Sequence, residues 1–310
     1  MGSATENTRS LTDVSDALAQ AVDEVERSVA TVFASRHGPS SGVLWRPGVV
    51  VTTAHAIRRD DGIRVILPDG SRSDAVLTGV DAGTDLAVLK VSDTGADHLD
   101  PADSGSVRTG HFVFALARDA GGLTSASFGI VGETGSEWRT WRGGQIDRLI
   151  RLDGGLHAGF NGGPVADTRG RIIGVGTSAL ARGFGIVIPV PTVNRVTDAL
   201  LASGHVARGY LGIGTQPIAL PESLTRKLGL QGQSGLIVLS LAPQGPAEQG
   251  GLLVGDILLD LEDRPLRDVG DLQAAMDGER IGAQVRVKLV RGGERVDSTI
   301  TLGQRPQRAC

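Results

Sequence analysis

Three short stretches of this chain carry residue types that could do chemistry together. His55 stands in Val51-Thr52-Thr53-Ala54-His55-Ala56, directly after an apolar run that reads as a strand, with small neighbours that let an imidazole face a cleft. Asp85 precedes the run Leu86-Ala87-Val88-Leu89-Lys90, where a carboxylate can accept from an imidazole N–H and fix its tautomer. Further on comes Gly159-Phe160-Asn161-Gly162-Gly163-Pro164, whose glycines permit a strained loop with backbone N–H groups aimed at a developing oxyanion. The other histidines, His37, His98, His111, His157 and His205, have no comparable setting.

The elements that must position these residues read as mainly β. From about Val29 to Pro191 the chain alternates short apolar runs with turn chemistry. The runs are Val43-Leu44-Trp45, Val49 to Val51, Ile63 to Leu67, Ala87 to Leu89, Phe112 to Phe114, Ile172 to Val175 and Ile186 to Ile188, with Pro47-Gly48, Pro68-Asp69-Gly70, Gly121-Gly122 and Asp167 to Gly170 between them. Many short strands with few helices predict a barrel or sandwich, and about 160 residues suits two small barrels. Ahead of this body, Leu11, Val14, Leu18, Val22 and Val25 recur at helical spacing. Ser10 with Asp13 is placed to cap that helix, and its stripe must cover the protein's own body or a neighbouring subunit.

Pro191 to Ala202 reads as a short helix capped by Thr192 and ended by Gly204. A separate unit follows, with a helix near Val269 to Met276 and a hairpin in which Val285, Val287 and Leu289 alternate, Arg291-Gly292-Gly293-Glu294 turns, and Val296, Ser298, Ile300 and Leu302 alternate back. The expected division is therefore a helical segment 1–28, a two-barrel unit 29–203 and a C-terminal unit 208–305.

His, then Asp, then a glycine-rich turn is the chain order of one class of Ser-His-Asp hydrolases built on double β-barrels. The sequence resembles the HtrA (DegP/DegQ) family of trypsin-like serine proteases. The matching stretches are Ser41-Gly42-Val43, Val51 to His55, Thr84 to Lys90, Gly162 to Val165 with Gly170 to Val175, and Gly185 to Pro189. Arg208-Gly209-Tyr210-Leu211-Gly212-Ile213 resembles the entry to that family's PDZ domain, and Gly235 to Val238, Pro246-Ala247, Gly250 to Leu252 and Gly255 to Leu258 resemble its body. The resemblance implies two six-stranded β-barrels followed by one PDZ domain. It implies His55 as general base, Asp85 as its orienter, and an oxyanion hole from the N–H groups of Gly159 and Asn161. It implies no cofactor, no metal, and usually a homotrimer organised through the protease domains.

One departure bears on activity. The family reads Gly-Asn-Ser-Gly-Gly-Pro where this chain reads Gly159 to Pro164, so Asn161 takes the place of the nucleophilic serine. An amide does not form an acyl-enzyme, and the chain is expected not to cleave peptides. Two accounts stay open: a protease disabled by substitution, or a natural pseudoprotease that binds peptides through its groove and PDZ domain. In either, the expected partners are unfolded polypeptides or C-terminal peptides.

Gly155 stands where trypsin relatives carry a specificity-setting acid. With Leu156, Ala179 and Leu180 it predicts a pocket for small or medium apolar residues. His157 and Ala158 depart from the family's usual Asn and Pro. Trp138 and Trp141 lie in the loop that matches the family's ligand-sensing loop, either covering barrel surface or offering a contact. In the PDZ unit the N–H groups of Leu211, Gly212 and Ile213, beside Tyr210, would capture a terminal carboxylate, with Ile213 and residues Leu272 to Met276 lining the pocket. The connection from the strand at Val29 to Phe33 to the one at Val43 is too short for the long inhibitory insertion of some relatives.

Composition narrows the remaining classes. The chain has 310 residues with 31 basic and 35 acidic side chains and no basic block, which gives no footprint for nucleic acid. No run of eighteen apolar residues predicts an integral membrane span. The one cysteine, Cys310, cannot close an internal disulfide. No signal-peptide pattern opens the sequence. The expected location is the bacterial cytoplasm, or the periplasm if a leader has been removed.

Overall fold

A computed structural model describes residues 11–36, 38–92, 104–157, 159–230, 232–276 and 280–304. The chain divides into two compact units between His205 and Val206. Ser10, one half of the expected cap of the first helix, lies outside the described residues, as do His37, His98, Ala158 and Cys310.

In the first unit, α1 (Leu11–Glu26) leads into six strands: β1 (Val29–Phe33), β2 (Ser40–Arg46), β3 (Val49–Thr53), β4 (Ile63–Ile66), β5 (Arg72–Asp81) and β6 (Leu86–Val91). They close a barrel in the order β1-β2-β3-β6-β5-β4. Ala30, Val32, Val50, Val65 and Leu89 fill it. A second group follows: β7 (Phe112–Arg118), β8 (Thr124–Thr134), β9 (Trp138–Arg139), β10 (Gln145–Ile146), β11 (Ile150–Leu152), β12 (Pro164–Asp167), β13 (Ile172–Thr177) and β14 (Ile186–Pro189). Six of these close a second barrel, β11-β14-β13-β12-β7-β8, around Val113, Val131, Ile150, Val165, Ile173 and Val187. β9 and β10 pair with each other alone.

The two longest strands of the barrels, β5 and β8, were not among the expected runs. β5 carries Gly79 at a register shift, where a side chain would strike the Gly204 carbonyl at 2.2 Å, and β8 is rich in Ser, Thr and Gly. Both are strands because barrel closure pairs them on two sides, which overrides weak local propensity.

Two helices flank the barrels. In α1, Ala21 and Val25 are buried by the unit itself, while Leu11 is 89% exposed, so only the C-terminal half of the apolar stripe is covered here. The other helix, α2 (Val190–Ser203), ends as expected on Gly204 in the left-handed conformation, with its N–H on the Leu200 carbonyl. Its start corrects the sequence reading. Pro189 is the N-cap, and Thr192 lies inside the first turn, where its hydroxyl donates to the Asp147 carboxylate rather than capping.

The second unit contains β15 (Gly209–Tyr210), β16 (Ile213–Ala219), α3 (Glu222–Leu228), β17 (Ser234–Leu241), α4 (Pro246–Gln249), β18 (Ile257–Leu261), β19 (Arg264–Pro265), α5 (Val269–Ala275), β20 (Gln284–Arg291), β21 (Glu294–Thr301) and β22 (Gly303–Gln304). Its main sheet runs β16-β17-β18-β20-β21, which leaves β16 as an edge strand. The β20–β21 hairpin turns at Gly292 and Gly293, both at positive φ, as a two-residue loop requires.

An ion pair ties this unit together. Asp256 is buried and receives a fork from Arg291 at 2.8 and 2.7 Å, plus the Leu253 N–H at 2.8 Å. Burial pushes its carboxyl up, but the Arg291 fork and the Leu253 N–H outweigh burial and hold it below the usual range. A depressed carboxyl contributes stability above its unfolded value that is lost as pH falls through the folded one. Asp256→Asn is therefore expected to destabilise the second unit by about 3 kcal/mol at neutral pH, a gap that closes as pH falls through the lowered value of the folded carboxyl. Thermal unfolding followed from pH 7 to 2.5 checks this, and a pH-independent gap would contradict it.

Candidate active site

His55 is placed by the end of β3. The strand runs into a short 3₁₀ turn, Ala54–Ala56, and the Ala54 N–H is tied to the Asp85 carbonyl at 3.0 Å. Asp85 enters β6 from a turn in which it adopts φ +59°, a left-handed conformation that Asp tolerates better than most residues. The Asp81 carboxylate holds that turn by accepting from the N–H groups of Gly83 and Thr84 and the Thr84 hydroxyl.

The two side chains meet. His55 Nδ1 lies 2.8 Å from Asp85 Oδ2 and 3.1 Å from Oδ1, and the His55 N–H donates to Oδ1 at 3.0 Å. Asp85 is 1% exposed, and its remaining acceptor capacity goes to the Thr177 hydroxyl at 2.5 Å. A carboxylate with this many donors stays put and keeps the proton on Nδ1, which leaves Nε2 as the free nitrogen of a ring that is 31% exposed.

The glycine-rich loop packs against the first barrel. At Gly162, φ is +84°, and a side chain there would meet the Ser41 carbonyl at 2.3 Å and the Thr52 hydroxyl at 2.5 Å. At Gly163 it would meet the Leu116 carbonyl at 2.0 Å. The loop's N–H groups divide cleanly. Phe160 donates to His157, Gly162 to Gly176 and Gly163 to Phe160, whereas the N–H groups of Gly159 and Asn161 have no partner among the described residues.

Ser41, quoted above only as part of a motif, is a junction. Its buried hydroxyl donates to the Gly159 carbonyl at 2.7 Å and accepts the Arg118 N–H at 3.1 Å. Thr177 and Ser178 were also missed. Their only signal is a pair of hydroxyl residues at the end of the apolar strand β13, and their role depends on β13 lying beside both Asp85 and the loop. Asn161 is held by that same strand end: its Oδ1 accepts the Ser178 N–H at 2.7 Å and the Ser178 hydroxyl at 2.9 Å. Among the described residues no hydrogen bond joins Asn161 to His55.

Of the expected pocket residues, Leu156 packs where Gly176 and Gly185 lack side chains, with contacts of 3.0 and 2.9 Å to the positions a Cβ would take. Gly155 faces the Gly183 carbonyl, Ala179 is exposed with its N–H on Thr177, and Leu180 is half-buried in the β13–β14 loop. The two tryptophans differ. Trp138 is half-buried, while Trp141 is 72% exposed with the Arg142 guanidinium 4.5 Å from its ring centre. Between them, Thr140 donates to the Gly83 carbonyl, which anchors this hairpin on the turn that carries Asp85.

In the second unit, Leu211 is buried in the core and Gly212 sits at φ +76°. The N–H groups of both have no partner among the described residues, while their carbonyls accept from Ala247 and Ala242. Tyr210 ends β15 and Ile213 begins the edge strand β16. Leu272 is buried in the core, and Ile213 and Met276 are partly buried against it.

No group of three or more His, Cys, Asp or Glu among the described residues could hold a metal ion, and no described helix is long and apolar enough to cross a membrane.

Residues 40–175 match the trypsin-like peptidase domain family, and residues 209–302 match the PDZ domain family. Two closed barrels with a His-Asp pair and a glycine-rich loop, followed by a PDZ domain, define the trypsin-like peptidase fold of the PDZ-bearing class. The chain belongs to the HtrA family of serine endoproteases. It is 30% identical over 273 residues to a probable periplasmic serine endoprotease DegP-like of Ectopseudomonas mendocina, covering 86% of this chain and 56% of that protein. The corresponding protein of Rhizobium meliloti is 31% identical over 302 residues, covering 92% and 59%. The chain thus spans less than two thirds of the length of these curated relatives. A serine endoprotease from Yersinia pestis superposes with TM-score 0.76 at 27% identity, covering 93% of this chain and 98% of that one. The HtrA-type protease AlgW with decapeptide superposes with TM-score 0.75 at 26% identity, covering 94% and 99%.

Proposed function

We infer that this chain is an HtrA-like protease body that engages unfolded or C-terminally exposed polypeptides in protein quality control, and that it does not cleave them, because Asn161 holds the position of the nucleophile. The observation that carries this reading is the contrast within one site. His55, Asp85 and Thr177 form a connected proton-handling group, yet the side chain at 161 is an amide whose oxygen is bound to Ser178. Casein digestion by the unaltered chain and by its Asn161→Ser form tests it.

A second reading, a standing peptide-binding or chaperone-like scaffold, draws on the unpartnered N–H groups of Leu211 and Gly212 beside the open edge of β16. That geometry suits a peptide added as a further strand with its carboxylate on the loop. Family membership also supports a homotrimer assembled through the protease units. Light scattering in solution is expected to read three times the mass of the chain, and a monomer would refute it.

A further inference from the structure

The side chain of Asn161 has only one possible orientation. The group 2.7 Å from it is the Ser178 backbone N–H, which can only donate, so the atom facing it is Oδ1 and not Nδ2. The Ser178 hydroxyl makes a second contact to that oxygen at 2.9 Å. Nδ2 is therefore turned the other way. It has no partner among the described residues and is not one of the buried unpartnered atoms, so its hydrogens are open to solvent.

Two more donors belong to the same loop: the unpartnered N–H groups of Gly159 and Asn161. The site's carboxylate offers no competing acceptor, because Asp85 is 1% exposed and its oxygens are taken by His55 and Thr177. A serine at 161 would present a hydroxyl that both donates and accepts. Asparagine with its oxygen tied back presents hydrogens alone.

From this we propose that the cleft at Asn161 is a receptor for the C-terminal carboxylate of a polypeptide, with Ser178 as the positioning residue. One carboxylate oxygen takes the N–H groups of Gly159 and Asn161, and the other takes Nδ2 of Asn161. The last side chain of the peptide faces Leu156, which favours a small or medium apolar residue. This rests on the reading of residues 159–163 as a protease-type oxyanion loop.

The test uses the full chain labelled with ¹⁵N-asparagine. The sequence has only Asn7, Asn161 and Asn194, and none lies in the second unit, so binding at the PDZ domain carries no reporter of its own. Asn194, whose Oδ1 accepts from Trp45 Nε1 at 2.8 Å, is an internal reference. Acetyl-Ala-Ala-Leu with a free carboxylate is expected to move the Asn161 side-chain and backbone amide signals saturably while Asn194 stays still. The C-terminal amide of the same peptide is expected to bind at least about tenfold more weakly, since hydrogen bonds to a charged group are the stronger ones. Ser178→Ala, which removes the hydroxyl contact to Asn161 but keeps the backbone N–H, is expected to weaken the acid about threefold and leave the amide unchanged, a selectivity that general loosening of the fold would not produce. Equal response to both peptides, or response to neither, overturns the proposal. If Asn161→Ser cleaves casein but the unaltered chain shows no carboxylate-selective shift, the protease-site reading stands and this inference falls. A selective shift in a chain whose Asn161→Ser form cleaves nothing keeps the receptor and removes that reading.

Discussion

Asn161→Ser is expected to raise casein cleavage by at least about 10³-fold over the unaltered chain, approaching the factor of about 10⁶ that a triad nucleophile contributes in a protease of another fold. The reason lies in what the site already holds. Asp85 keeps the proton on Nδ1 of His55, Thr177 fixes Asp85, and two loop N–H groups remain without partners. On the proposed reading, with His55 as base, Asp85 as its orienter and the two N–H groups as oxyanion donors, the missing component is a hydroxyl that Nε2 could deprotonate. Full recovery is not expected, because serine is shorter than asparagine and cannot reach Ser178 in the same way, so the loop must settle around a new partner. Initial rates on casein and on a chromogenic peptide measure the effect. A gain below about tenfold would reject the disabled-protease reading and favour the standing scaffold, whereas an unaltered chain as fast as the variant would remove position 161 from the account altogether.

The second large effect depends on that active background. Adding Asp85→Asn to Asn161→Ser is expected to lower kcat by about 10⁴ with little change in KM. Asp85 accepts from the His55 N–H, from Nδ1 and from the Thr177 hydroxyl, all through two oxygens with no donor among them. An amide there has one oxygen and one NH₂, so one of these contacts must be lost or reversed. If the NH₂ faces the imidazole, the proton moves to Nε2 and the ring can no longer accept from a hydroxyl. Peptide binding does not pass through this buried residue, which is why KM should hold. Separate determination of kcat and KM, with a melting curve to show the fold intact, checks the expectation. A loss of less than tenfold in a folded double variant would mean that Asp85 does not orient His55 for the reaction.

Particular residues show how far the sequence reached. His55, Asp85 and the loop at Asn161 were legible because each is a local pattern: a polar residue at the end of an apolar strand, or glycines clustered where positive φ is needed. The hairpin at Gly292-Gly293 and the helix stop at Gly204 were legible for the same reason. β5 and β8 were not, since their propensities are weak and their pairing is decided by closure of the barrels. Thr192 was misread as a cap because a threonine near a helix start looks the same whether its hydroxyl meets its own backbone or Asp147.

The sequence by itself determined the family, the barrel and PDZ content, and the asparagine at 161 within its glycine-rich loop, since these reside in residue types and short spacings. Only the tertiary structure decided what that side chain touches. Thr177 ends β13 and Ser178 follows it, far along the chain from Asp85, and they reach Asp85 and Asn161 because the barrel brings that strand end beside them. Hydrogen-bond direction then follows from donors and acceptors that no sequence pattern pairs, and it turns an amide that reads as a lost serine into one that points its hydrogens outward.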